Sequence, residues 1–191
     1  MNLYGKTVYL IPVEVDDAKF ILNLRTNENL NKYLSPTENN LDTQKSWISN
    51  YKKREKEKKE FYFKVRDYEN NDTGVVRLYN IDKKYSKATF GSFIMNEIHP
   101  KYAALESMIL ILYYAFLYLN LEKIELDVRI NNLHAKKFYQ RFGFKKTNEN
   151  EIDEFYELEK KDFIKLYENY EKYIERDDKD ESRICRFNKN A

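Results

Sequence analysis

Apolar side chains recur along this chain at two spacings, and the switches between them mark its elements. Val8 to Pro12 alternates as a strand, and the acidic stretch from Glu14 to Asp17 supplies N-caps for a helix over Ala18 to Thr26, where Phe20, Ile21 and Leu24 share a face. Residues 31 to 40 are polar and broken by Pro36; from Thr43 a second helix carries Trp47, Ile48 and Tyr51. It runs into KKREKEKKE, residues 52 to 60, whose signs alternate at helical spacing and so read as a solvated helix end, not a nucleic-acid patch. Phe61 to Arg66, Gly74 to Ile81 and Ala88 to Met95 follow as strands separated by Asn70-Asn71-Asp72 and Asp82-Lys83-Lys84, which predicts an antiparallel meander. After Pro100 the helical period returns over Tyr102 to Leu119, and within it MILILYYAFLYL is apolar all round, as a helix buried on nearly every side must be. Ile124 to Ile130 alternates apolar and charged residues as a strand, and His134 to Phe142 is a short helix stopped by Gly143. Glu154 to Glu159 is a last strand; Phe163, Leu166, Tyr167, Tyr170 and Ile174 line one face of a final helix, and the charged residues beyond it are expected to fray.

Composition narrows the class. A length of 191 residues suits one domain with its own core. Only 4 Gly and 3 Pro exclude collagen-like and linker-dominated designs, and 17 Tyr with 12 Phe exclude a disordered chain. The 34 basic and 32 acidic side chains nearly cancel, so there is no whole-molecule field for nucleic acid or an anionic membrane. Cys185 stands alone, which rules out an intramolecular disulfide and a cysteine metal cluster and fits a reducing compartment. No secretory leader is evident, and no apolar run reaches the roughly 20 residues that cross a bilayer. A cytoplasmic protein with no metal and no membrane insertion is expected.

Candidate chemistry concentrates in residues 90 to 144. A helix N-terminus offers unpaired N–H groups and the positive end of a dipole, so the turn from Ile98 into Ala104 is a ready site for a pyrophosphate. The order β, two helices, three-stranded meander, helix, strand, helix, strand resembles the GNAT superfamily of N-acetyltransferases over roughly residues 5 to 160. The stretch from FGSFIMNEIHP through ALES to DVRINN, with Tyr139 seven residues after Asn132 and a closing Gly143-Phe144, is similar to that family's acyl-CoA core. The resemblance implies an α/β (α+β) fold: a mixed, mostly antiparallel sheet of six to seven strands flanked by helices and splayed between the fourth and fifth. Residues 1 to 160 form its domain, with 161 to 191 a C-terminal helix and charged tail.

The resemblance further implies acetyl-CoA as cofactor, with the phosphate turn at His99, Lys101, Tyr102, Ala103 and Ala104, two alanines standing where the family usually has glycines. Ile94 and Met95 form the strand edge that pairs with the pantetheine amides, where backbone N–H groups could polarise the thioester carbonyl. Asn132 corresponds to the asparagine that holds the pantetheine arm, although an Asn there is as naturally the N-cap of the next helix. Tyr139 corresponds to the tyrosine that protonates the departing thiolate. The nucleophile is the acceptor's amine, which is mostly protonated at neutral pH and needs a base; Glu97 and Asp127 are the candidates by position.

For the acceptor, Arg25, Tyr33, Trp47, Arg77 and Tyr79 are candidate lining residues, because aromatic rings with Arg can hold a nucleotide. Trp47 as core and Arg25 as a helix salt-bridge partner is the competing assignment. LRTNENLNKYL is loosely similar to the branch that includes ribosomal-protein N-terminal and spermidine acetyltransferases. The set GSFI, ALES, DVR, RFGF and DEFYELEKKDF is similar to a subgroup linked to bacterial surface-polysaccharide pathways. A nucleotide-linked amino sugar is therefore the expected acceptor, with protein N-termini, polyamines and a non-catalytic GNAT-fold binding module as alternatives. The resemblance also admits a homodimer.

Overall fold

The alternating segments assemble into a single sheet in the computed structural model, which describes residues 1–170. The strands are β1 (Leu3–Tyr4), β2 (Val8–Pro12), β3 (Phe61–Asp67), β4 (Asp72–Asp82), β5 (Lys87–Met95), β6 (Lys123–Arg129), β7 (Lys145–Glu149) and β8 (Asp153–Glu159). The α-helices are α1 (Ala18–Thr26), α2 (Leu41–Lys56), α3 (Ala103–Tyr113), α4 (Leu133–Arg141) and α5 (Lys160–Tyr170). Strand order is β1-β2-β3-β4-β5-β6-β8-β7, antiparallel except for the parallel pair β5 and β6. Eight strands correct the expected six to seven. The additions are β1, two residues long, and β7, whose side chains are all exposed and so carry no apolar alternation. Ile174, Cys185 and the charged tail lie outside the described residues.

Each sheet face buries its own core. On one, α3 and α5 pack Ile109, Leu112 and Phe163 against Leu10, Val65 and Val76; on the other, α1 and α2 pack Ile21, Ile48 and Tyr51 against Tyr62, Val75 and Ile94. Met108 to Phe116 is buried throughout, as its apolar run requires. Where one helix to Leu119 was expected, α3 gives way to a π turn over Tyr114–Tyr118. That turn stacks Tyr114 on Tyr118 at 5.1 Å while Phe61 and Phe63 meet Tyr114 edge-on. Glu106, 1 % exposed at the first turn of α3, accepts the Thr7 amide at 2.7 Å, the Thr7 hydroxyl at 3.0 Å and the Val8 amide at 3.2 Å, and so ties the β1–β2 hairpin to the helix.

One seam is incomplete. β4 and β5 pair from Gly74↔Met95 to Asp82↔Lys87, but β5 and β6 pair only at Lys87↔Lys123, Ala88↔Ile124 and Thr89↔Glu125 before parting. Arg77 opposes Gly91 and Val75 opposes Ile94, which leaves Ser92 and Phe93 together across from Val76. Ser92 takes φ +48°, a left-handed conformation uncommon for a residue with a Cβ. This bulge bends β5 where the splay opens, at the seam the sequence resemblance placed between its fourth and fifth strands.

Candidate active site

A cavity of about 540 Å³ fills the splay. Phe90 to Phe93 of β5 and Leu126 to Arg129 of β6 form its two strand walls, and Asn132, Ala135 and Tyr139 close one end from α4. Arg25 of α1, Gln44 and Trp47 of α2, and Tyr33 close it from the opposite side, over Tyr62, Arg77 and Tyr79 of the sheet. A second cavity of about 410 Å³ shares the wall formed by Tyr79, Leu126 and Asp127. Gly91 lies close under Tyr79: a Cβ there would meet the Tyr79 ring at 3.0 Å, tight enough that the ring would have to shift.

The chemical groups meet at the α4 end. The Tyr139 ring is held by edge-on contacts to Phe90 (5.7 Å), Phe138 (5.6 Å) and Phe144 (5.9 Å). Burial, with a smaller contribution from Asp127, raises its proton affinity, so the hydroxyl stays protonated at neutral pH as a proton donor must. Asp127 is exposed to both cavities; partial desolvation by their walls and then Asp153 raise its pKa, and Arg129 pulls it back. A carboxylate raised in this way holds a proton more readily, which suits a base. Glu97, the other carboxylate expected, is exposed on the turn after β5 and is not brought to the cavity. Asn132 does the work of a cap: its Oδ1 accepts the Ala135 amide at 3.1 Å, while the residue also lines the cavity. Gly143, at φ +86°, ends the segment in the left-handed turn expected of it.

The anion turn is partly engaged. The Ala103 amide donates to the Pro100 carbonyl at 3.0 Å and Glu106 N–H to the Tyr102 carbonyl at 2.9 Å, but the amides of Ala104 and Leu105 take no carbonyl among the described residues. No side chain caps α3 at Tyr102. His99 folds back, its Nδ1 within 2.8 Å of the Pro100 carbonyl, and Lys101 lies 5.3 Å from the centre of the Tyr102 ring. Ile94 is buried under α1 and α2, so what it and Met95 present toward the parting is backbone; the residues of β5 that line the cavity are ones the sequence reading did not single out as site residues, Phe90, Gly91, Ser92 and Phe93. Two uncommitted helix amides and a strand edge unpaired beyond Thr89 fit the diphosphate and the amide arm of coenzyme A.

All five expected acceptor residues reach the cavity. The Arg77 guanidinium is sandwiched between Trp47 (4.9 Å) and Tyr79 (4.6 Å) and donates through Nε to buried Glu60 at 2.5 Å. Glu60 also accepts from Arg54 at 2.6 Å, so one carboxylate serves two guanidiniums. Arg25 pairs with no described carboxylate; it donates to Thr37 Oγ1 at 2.7 Å and to the Ser35 carbonyl at 3.3 Å. The Tyr33 hydroxyl donates to the Asn131 carbonyl at 3.2 Å, joining the α1–α2 loop to the turn before α4.

Known proteins agree with this geometry. Residues 7–145 match the family model "Acetyltransferase (GNAT) domain". The probable N-acetyltransferase YjcK of Bacillus subtilis is 27 % identical over 75 % of this chain and 83 % of its own length. The spermidine N(1)-acetyltransferase of Vibrio cholerae is 30 % identical over 86 % and 94 %. Among solved structures, apo FdhC, described as a nucleotide-linked sugar GNAT, superposes with a TM-score of 0.85 at 33 % identity, covering 92 % of this chain and 99 % of that one. The Vibrio cholerae spermidine N-acetyltransferase in complex with CoA and spermine gives 0.70 at 26 %, covering 83 % and 98 %. With the parted strands, the open helix turn and the matched domain, the chain belongs to the GNAT family and is an acetyl-CoA-dependent N-acetyltransferase.

Proposed function

We propose that the acceptor is the amino group of a nucleotide-linked amino sugar, acetylated by direct attack of the amine. The observation that carries this reading is Arg25: a guanidinium in the cavity held only by neutral oxygens, beside an Arg54–Glu60–Arg77 group with one more cation than anion. An acceptor bearing phosphates supplies the missing negative charge, whereas a polyamine brings more positive charge to the same walls. The likeness to a nucleotide-linked sugar GNAT supports it, and surface-polysaccharide synthesis is the setting the sequence resemblance implies.

In this reading each residue has a separable task. Asp127 takes the proton from the acceptor's ammonium group, and Tyr139 Oη delivers one to the departing sulfur. Acetyl-CoA, when bound, supplies the acyl group and a thiol leaving group. Ala104 and Leu105 N–H hold the diphosphate, and the edge of β5 holds the arm. Spermidine is the second reading, favoured by the Vibrio cholerae relative and by Glu38 and Asp127 in the cavity wall. Arg25→Leu separates the two: it should lower kcat/KM for a nucleotide-linked amino sugar by about 10- to 100-fold, the worth of a charge-assisted hydrogen bond. An unchanged kcat/KM for that acceptor, with spermidine the better substrate, would favour the polyamine.

A further inference from the structure

The cavity floor holds two polar side chains that the sequence reading did not single out and that no described residue satisfies. Gln44 is 8 % exposed, lines the cavity, and its amide makes no hydrogen bond to a described residue. Tyr62 is 2 % exposed and lines the same cavity; its backbone is fixed by the Tyr51 hydroxyl, which donates to the Tyr62 carbonyl at 3.2 Å and accepts its amide at 3.0 Å. Its ring stands edge-on to Trp47 and Tyr51 at 6.0 and 5.9 Å, and its hydroxyl, too, has no partner among the described residues. Both groups open onto the cavity, where neither is engaged by a described residue, so their hydrogen-bonding capacity is available to a ligand's polar atoms.

We propose that Gln44, Tyr62 and Arg25 together form a phosphoryl subsite, which grips the diphosphate of the acceptor on the cavity floor and so directs its amino group toward Asp127 and Tyr139. This rests on the reading of the acceptor as nucleotide-linked. All three groups can donate hydrogen bonds, and two of them are neutral, so they bind phosphate oxygens without adding charge that would have to be buried when the site is empty. Arg25 and Arg77 act electrostatically on the Tyr62 hydroxyl, with Glu60 opposing them more weakly. Burial still pushes its pKa up to about 12, so it remains a donor at neutral pH. The acceptor's phosphates are thereby kept apart from the α3 turn, which serves the coenzyme.

The test uses the full chain saturated with coenzyme A, titrated calorimetrically with uridine and thymidine diphosphates and with the matching nucleosides. At least one diphosphate should bind tenfold or more tightly than its nucleoside, and Tyr62→Phe, Gln44→Leu and Gln44→Glu should each erase most of that margin, the last fully because it adds a like charge. Acetyl-CoA affinity and Tm serve as controls for folding; Tyr62→Phe removes a single oxygen and preserves the packing. A second arm measures kcat and KM for nucleotide-linked amino sugars, which the variants should affect through KM. Wild-type turnover of nucleotide-linked sugars with variant KM and diphosphate affinity unchanged would overturn the subsite and leave the acceptor reading standing. No wild-type turnover of any nucleotide-linked sugar, with spermidine acetylated, would overturn both.

Discussion

The two seams that flank β5 differ in kind. On the β4 side the ladder runs from Gly74↔Met95 to Asp82↔Lys87; on the β6 side it stops after Thr89↔Glu125. The β4 seam is stabilised like any sheet, by paired backbone and by cores on both faces. The β6 seam gives up its pairing, and the residues there, Asp127, Tyr139 and the bulge at Ser92, face a cavity. An enzyme that binds an extended thioester arm needs such an unpaired edge, and the rest of the sheet supplies the stability to keep it open. Substitutions at the open seam should therefore cost rate, and those in the closed part should cost stability.

The largest effect is expected at the open seam. Asp127→Asn should lower kcat by about 10²- to 10⁴-fold, the range for a lost acid–base group. Its Tm at neutral pH should be close to wild type, since the side chain is open to the cavities and its partial desolvation and Asp153 disfavour the charge that the substitution removes. The same shift sets a sign for pH: the rate should fall, as pH is lowered, at a value above that of an ordinary Asp, and that limb should disappear in the variant. A clear loss of Tm with an intact rate would reverse the assignment. Tyr139→Phe comes next, with kcat lowered about 10²-fold and acetyl-CoA affinity largely spared; wild-type turnover would remove its role as proton donor.

In the closed part the currency changes. Glu106→Ala removes the acceptor of the Thr7 and Val8 amides, and should destabilise by about 1–3 kcal/mol while leaving turnover of the remaining folded protein unaltered. Denaturant unfolding checks this, and an unaltered midpoint would show that the hairpin is held some other way. The smallest effect lies in β8, next to the edge strand β7. Hydrogen bonds from Tyr156, Lys146 and Lys136 hold Glu154 at a pKa of about 2. A depressed carboxylate stabilises above its unfolded pKa and loses that contribution as pH falls toward about 2. Glu154→Gln should accordingly flatten the acid side of the Tm–pH curve and leave turnover alone.

The closed part was also the more legible. Val8 to Pro12 and Ala18 to Thr26 were read to the residue because their spacing answers directly to a buried face. β1 and β7 escaped, the first too short for a period and the second exposed on every residue. At the site, residues with distinctive chemistry stood out: Tyr139, Asp127, Arg25 and Trp47 all reach the cavity. What pattern reading passed over was geometry. The bulge at Ser92 depends on register with β4, which spacing within one strand does not encode. Gln44 did leave a trace: with Leu41, Ile48 and Tyr51 it is the one polar member of an otherwise apolar helical stripe.

The most direct test of the account is the initial rate of free-thiol release from acetyl-CoA, measured side by side with a panel of nucleotide-linked amino sugars and with spermidine. The account predicts kcat/KM at least about 100-fold higher for one of the sugars, as expected when Arg25, paired with no described carboxylate, favours a phosphate-bearing acceptor over a polycation. Equal or greater kcat/KM with spermidine would contradict it.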